Sequence, residues 1–249
     1  MTRKDGRDID ALRRVSFELS AQRNPEGSVL YRCGGTTILL AASVDEGVAD
    51  WMRGSGRGWV TAEYAMHPRS NKERQQRDGR KGRIDGRSQE IQRLIGRSLR
   101  AAVRLDKLGE RTITVDCDVL DADGGTRTAS ITGGLVALVL ALDTLRQQGL
   151  VKPGVLREPI AAVSTGLVKG KVMMDLCYEE DRDCEVDLNV VGTRSGAIVE
   201  VQGTAEGEPI AYEKFDAMVK LGLAGIADLV EQQTRALAAA EVPWQRLQG

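Results

Sequence analysis

The sequence predicts an α+β fold, and three observations carry that expectation. The candidate elements fall in the order strands, helix, strand, helix, strands, helix, a segregated pattern and not a strict βαβα alternation. The apolar period switches along the chain, from strand-like alternation in Thr112–Val119 to helical spacing at Ile91, Leu94, Ile95, Leu99, Ala102 and Val103. The chain has 249 residues, 41% of them hydrophobic and 29% charged, which is enough apolar material for a sizeable core. One domain is expected over 1–241, with a tail over 242–249.

The elements can be justified in order. Ser28–Cys33 and Thr36–Ser43 are β-prone runs joined by Gly34-Gly35, a hairpin signal. Trp59–Met66 reads as another strand, preceded by a loop of alternating glycines that opens no helix. Residues 67–88 are polar, Arg-rich and Gly-punctuated, so a long loop is predicted there. A helix is expected from about Gln89 to Lys107, a strand over Thr112–Val119, a turn over Asp121–Thr126 and a buried helix over Thr128–Gln148. Beyond Pro153-Gly154, four strands are predicted: Pro159–Val168, Val172–Tyr178, Glu185–Val191 and Ala197–Gly203. Tyr212–Glu241 reads as one long helix, or as two broken near Gly222 and Gly225.

Composition excludes several classes. Lys and Arg total 35 against 36 Asp and Glu, a net charge of −1, so a uniformly basic nucleic-acid coat is ruled out, though a local patch is not. No uninterrupted apolar run reaches about 18 residues, and the first eight residues lack a signal-peptide core, so a cytoplasmic protein without a membrane partner is expected. Cys33, Cys117, Cys177 and Cys184 form no CxxC pair and are read as buried, reduced thiols. His67, the only histidine, sits in a polar stretch and is a poor base for a serine or cysteine nucleophile.

Three constellations carry chemistry. From Arg69 to Arg87 there are eight basic and three acidic residues, including Arg69, Arg74, Arg77 and Arg87. This is either a solvated, salt-bridged loop or a contact for nucleic-acid phosphates. Asp123-Gly124-Gly125-Thr126-Arg127-Thr128 lies between a strand and an apolar helix. It has the parts of an anion cradle: glycines, free helix N–H groups, two hydroxyls and a guanidinium. The alternative is an ordinary turn with a Thr cap. Seven acids stand between Asp175 and Asp187. Glu179, Glu180 and Asp183 read as a solvated hairpin. Asp187, between Val186 and Leu188, reads as an acid inside an apolar strand, suited to proton transfer or to Mg²⁺.

These blocks resemble the ribonuclease PH family of phosphate-dependent exoribonucleases over about Gly6 to Gln232. The resemblance rests on Glu26–Leu30, Gly58–Tyr64, Gly86-Arg87 through Glu90–Arg97, Asp116–Leu120, Asp123–Thr132, Asp187–Val191 and Glu200–Pro209. It implies a βαβ-type fold of mixed sheets packed with helices, assembled as a homohexameric ring, a trimer of dimers. It implies 3′→5′ phosphorolysis of tRNA precursors, with inorganic phosphate as co-substrate, nucleoside diphosphate as product and Mg²⁺ as the expected metal. By position, Arg87 and Gly125-Thr126-Arg127 match the family's phosphate-binding residues, and Asp181 and Asp187 its active-site acids, which are also its metal candidates. Arg69, Arg74 and Arg77 match its tRNA-contacting and ring-assembling arginines. Arg14 and Gly192 depart from the family's usual Pro and Met. A catalytically silent, RNA-binding ring subunit of an exosome-like assembly is the competing expectation.

Overall fold

The computed structural model describes residues 3–77, 82, 84–242 and 244–248. Among the described residues nine strands form two sheets. The first has the order β1-β2-β3-β5-β4, from Val15–Leu19 (β1), Gly27–Cys33 (β2), Thr36–Glu46 (β3), Trp59–Met66 (β4) and Arg111–Asp121 (β5). All its pairs are antiparallel except β4 with β5. That parallel pair needs a crossover, which helices Gly86–Ala101 (α1) and Leu105–Leu108 (α2) supply. The second sheet, β7-β6-β8-β9, is antiparallel throughout and contains Ile160–Val168 (β6), Lys171–Met174 (β7), Val186–Thr193 (β8) and Ile198–Ala205 (β9). The α+β expectation holds.

Helix Thr126–Gln147 (α3) links the two sheets. Its run of Leu, Val, Ile and Ala is buried almost all round, and it packs on β2 and β3 on one side and β6 on the other. The approach to the first sheet is close: a Cβ on Gly133 would lie 2.5 Å from Leu40 Cδ1. Thr132 Oγ1 donates to the Ala162 carbonyl and accepts from its N–H, each at 3.0 Å, which pins α3 to β6. Among the described helices α3 alone is long and apolar enough to cross a membrane, a window that the count of uninterrupted apolar runs passed over. Here its apolar surface is used up in core packing. Helix Tyr212–Ala239 (α5) is continuous through Gly222 and Gly225 and covers β6, β7 and β8.

Several boundaries differ from the sequence expectation. α1 begins at Gly86 because Asp85 caps it, its side chain accepting from Arg87 N, and so Arg87 stands in the first helical turn. The helix stops at Ala101, where Arg104 N turns away to the Val155 carbonyl. β1 was not foreseen, being a short edge strand. Tyr178–Arg182 (α4) is a helix, not part of a strand or a solvated hairpin, and Glu180 on it pairs with Arg3 at 2.6 Å. The segment after α5 does not trail away: Trp244 and Leu247 are each 1% exposed and join the core. Residues 67–77 form no regular element, as predicted, while Asp78, Arg80, Lys81 and Arg83 of the basic stretch lie outside the described residues.

Candidate active site

The end of β4, the start of α1, the β5–α3 turn, α4, β8 and β9 converge. Gly124 and Gly125 carry φ of +76° and +65°, which glycine adopts without strain. They turn the chain sharply from β5 into α3. The N–H groups of Thr126, Arg127 and Thr128 precede the first helical bond, from Ala129 N to the Gly125 carbonyl, and have no intrahelical acceptor. They give the turn the donors and the positive dipole end that favour an anion.

The hydroxyls divide. Thr126 Oγ1 shares a 2.9 Å hydrogen bond with Tyr64 Oη of β4. Thr128, which the sequence offered as a second donor to an anion, is buried, and its hydroxyl donates to the Gly125 carbonyl at 2.9 Å. It braces the turn from inside.

Arg127 is the cation at the centre. Its Nη1 donates to Gln202 Oε1 of β9 at 2.9 Å, and Gln202 Nε2 donates to Glu90 Oε1 of α1 at 2.8 Å. Glu90 also faces Arg127 directly at 3.8 Å. This chain of contacts ties the second sheet to α1 through the residue that would grip an anion. Arg87, three residues before Glu90 and exposed, adds its charge from the first turn of α1.

The two acids face this positive wall. Burial pushes the Asp181 carboxyl above the ordinary carboxylate range, and Arg127, Arg87 and Arg13 offset only part of that. Burial and the neighbouring Asp181 charge push Asp187 up as well, with Arg127 pulling the other way. Arg127 is therefore within electrostatic reach of both acids, and Arg87 and Arg13 of Asp181. Among the described residues neither Asp181 nor Asp187 is in an ion pair. The pleat sets Asp187 on β8, opposite Gly166 of β6 and Thr204 of β9. The structure thus places Arg87, Gly125, Thr126, Arg127, Asp181 and Asp187 in one region.

Arg69, Arg74 and Arg77 do not enter this cluster. They are exposed on the 67–77 loop. The loop still begins beside the site, because Ala122 N, at the start of the β5–α3 turn, donates to the Ser70 carbonyl at 2.9 Å. Lys72 of the same loop adds to the pull on Glu179 of α4, which Lys4 chiefly lowers. His67 is exposed and its Nδ1 accepts from Arg69 N, away from any acid–base partner. Cys33, Cys117 and Cys184 are buried and Cys177 is half-buried; burial raises all four thiols, Cys184 to about 11 and Cys33 to about 12, so none is poised as a nucleophile.

The family model described as the 3′ exoribonuclease family (RNase PH), domain 1, matches residues 11–142, and that for domain 2 matches 158–225. The chain belongs to the RNase PH family. The join between the two matches runs from the last turns of α3 to just before β6, so each match holds one of the two sheets. Solved structures share the fold at low identity. An Archaeoglobus fulgidus exosome with RNA bound to its active site is 23% identical, with a TM-score of 0.77 over 93% of this chain and 92% of that one. Rice (Oryza sativa) Rrp46 is 18% identical, with a TM-score of 0.75 over 93% and 98%. An archaeal exosome core is 21% identical, with a TM-score of 0.72 over 93% and 91%.

The sequence reading missed Arg13, Tyr64, Glu90 and Gln202 as parts of this RNase PH site. Tyr64, Glu90 and Gln202 stood inside the family-like blocks without a role of their own. Arg13 lies outside every block and constellation singled out from the sequence, and beyond the first eight residues read for a signal-peptide core. Its partner Asp175 is 162 residues away, beyond the reach of any local pattern.

Proposed function

We propose that this chain is a phosphorolytic 3′→5′ exoribonuclease that trims RNA 3′ ends, tRNA precursors among them. The observation that supports this best is that Arg127 lies within electrostatic reach of both Asp181 and Asp187, with Arg87 in reach of Asp181. In the reaction, an oxygen of inorganic phosphate bonds to the last internucleotide phosphorus. The bond from that phosphorus to the 3′ oxygen breaks, that oxygen takes a proton, and a nucleoside diphosphate leaves. The obstacle is bringing one anion onto another. Arg87, Arg127 and the N-terminal turn of α3 would hold the attacking phosphate and neutralise charge that grows in the transition state. Tyr64 would fix the Thr126 hydroxyl beside it. Asp187, with its proton affinity raised, suits donation to the leaving 3′ oxygen, and Asp181 sustains that affinity by its charge.

The same two carboxylates fit Mg²⁺, which often takes one or two protein carboxylates and completes its shell with substrate oxygens and water. Asp181 and Asp187 would be its protein ligands, and among the described residues no group of three or more acidic, His or Cys side chains adds to them. Bound there, the ion would supply charge neutralisation at the leaving oxygen. The exposed Arg69, Arg74 and Arg77 would hold the RNA body or help assemble a homohexameric ring around it.

A second reading, a silent RNA-binding ring subunit, is favoured by the company the fold keeps, since the similar structures include exosome subunits. The purified chain decides between them. End-labelled RNA should lose its 3′ nucleotides as diphosphates only when phosphate is added. RNA binding with no phosphate-dependent release would support the silent subunit, and activity only after a second chain is supplied would indicate a mixed ring.

A further inference from the structure

Arg13 precedes β1 and is 5% exposed. Its guanidinium reaches two segments at once. Toward Asp175, Nη2 donates to Oδ1 at 2.7 Å, and Nε and the backbone N–H donate to Oδ2 at 3.1 and 2.7 Å. Toward the β5–α3 turn, Nη1 donates to the Asp123 carbonyl at 2.6 Å, with longer contacts of 3.4 and 3.5 Å to the Gly124 carbonyl.

Each segment leads directly into the site. Asp123-Gly124 runs on into Gly125-Thr126-Arg127. Asp175 runs through Leu176 and Cys177 into α4, which carries Asp181. The two also touch each other. A Cβ on Gly124 would lie 2.7 Å from the Leu176 carbonyl oxygen and 2.8 Å from Tyr178 N, and Asp123 Oδ1 accepts from Tyr178 N at 3.2 Å. Asp175 holds a left-handed φ of +53°, a conformation that persists in a non-glycine residue only where its surroundings fix it. A flat, forked donor is what such a junction needs, and a lysine ammonium would be a single point.

We propose that Arg13 is a positioning residue of the active site: by bridging Asp175 to the Asp123–Gly124 backbone, it sets the spacing between the anion-binding turn and the helix that carries Asp181. Arg13 does no chemistry itself. It acts because misplacing an attacking group by about 1 Å can cost on the order of 10²-fold in rate. The inference rests on the reading of the site as phosphorolytic, and it must be separated from a plain contribution to stability.

Four variants make that separation: Arg13→Gln, Asp175→Asn, the two together, and Arg13→Lys. Each is followed by thermal melting, by sedimentation of the assembled protein, by rate against phosphate concentration at saturating RNA, and by calorimetric titration with inorganic phosphate. The single charge-removing variants should melt well below the parent, since Asp175→Asn leaves the Arg13 charge buried without its carboxylate and Arg13→Gln leaves Asp175 only the more distant Arg7, at 3.6 Å. The double variant should recover most of the melting temperature, yet turn over at least about tenfold more slowly, with a raised phosphate KM, because the bridge to the turn is still missing. Arg13→Lys should keep its assembly and show the same kinetic loss. Parent-like turnover and phosphate dependence in a stable double variant would overturn the proposal, as would parent-like kinetics in Arg13→Lys should the double variant not recover. If the parent itself releases no diphosphates, the phosphorolytic reading fails, and the spacing role is then judged on phosphate affinity alone. Weaker binding by about tenfold in Arg13→Lys would uphold it, and equal binding, or a parent that binds no phosphate, would end it.

Discussion

Asp175 and Asp187 stand twelve residues apart in one acidic stretch, and burial acts on both. The outcomes are opposite. Burial pushes the Asp175 carboxyl up, but the charge and hydrogen bonds of Arg13, helped by Arg7, outweigh it and hold the group below the ordinary carboxylate range. At Asp187 burial and the Asp181 charge push the same way, and Arg127 does not cancel them. One acid has a cation of its own on both oxygens, and its charge is committed to holding the chain together. The other has no ion pair among the described residues, and its proton and charge stay free for a substrate. The cations divide similarly: Arg13 is buried and saturated, whereas Arg69, Arg74 and Arg77 are exposed and form no ion pair with a described residue.

The largest effect should come from breaking the committed pair. Asp175→Ala leaves the Arg13 guanidinium buried without its counter-charge, and that loss should amount to about 3–5 kcal/mol of unfolding free energy. Denaturant unfolding at a fixed protein concentration measures it, because assembly adds to apparent stability. A loss below about 1 kcal/mol would erase the distinction between the two acids. Asp187→Asn should do the reverse, leaving the fold intact while lowering turnover by about 10² to 10³-fold, the loss expected when one strong transition-state contact is removed. RNA binding by this variant should match the parent. A normal ring that trims at near the parent rate would place the chemistry elsewhere.

A smaller effect follows from the signs of the two shifts. Asp187 binds its proton more tightly in the folded chain, so its contribution to stability is fully present below the unfolded value near 3.8 and is lost as pH rises through its higher folded pKa. At pH 7 its ionised form therefore works against the fold. Asp187→Asn should melt higher than the parent at pH 7, by a few degrees at most, and this advantage should fade toward about pH 4. Asp175 has the lowered pKa, so its contribution is present above 3.8 and is lost in acid. Asp175→Asn should melt lower at pH 7, and the gap should narrow as pH falls. Shifts of the same sign in both variants would break the comparison.

What the sequence revealed, and what it hid, follows the range of the interactions. The helical period of Ile91, Leu94, Ile95 and Leu99 marked α1 because those side chains all meet the core, and each is at most 2% exposed. The body of α3 was legible for the same reason. α4 was not, because five residues cannot sustain a helix alone. It is held by Arg3 to Glu180 and by Asp123 to Tyr178, contacts that span 177 and 55 positions. Trp244 and Leu247 showed no period before they were seen in the core. Within the site, Arg87, Thr126, Arg127, Asp181 and Asp187 could be named from local composition and family resemblance. Arg13 and Gln202 act through partners on distant segments, and only the folded chain brings those partners near.

The smallest effect tests the free cations. Replacing Arg69, Arg74 and Arg77 by Ala should leave the fold unchanged, since all three are exposed and none forms an ion pair with a described residue. It should also leave the chemistry unchanged, since none of the three side chains forms a hydrogen bond or ion pair with a described residue of the site, and the loop is anchored beside the site by its backbone, at the Ser70 carbonyl and Ala122 N. What it should change is the electrostatics of binding a long RNA. Each phosphate contact releases condensed counterions, and the salt dependence of log affinity falls by about 0.7 to 0.9 for every contact removed. The triple variant should therefore bind tRNA more weakly at low salt, with a slope flatter by up to about two to three. A short oligonucleotide confined to the site should be trimmed at close to the parent rate, provided sedimentation shows an intact ring. Equal losses on tRNA and oligonucleotide would mean that these arginines belong with Arg13, as part of the frame. An unchanged salt slope would mean that the RNA body lies against some other face.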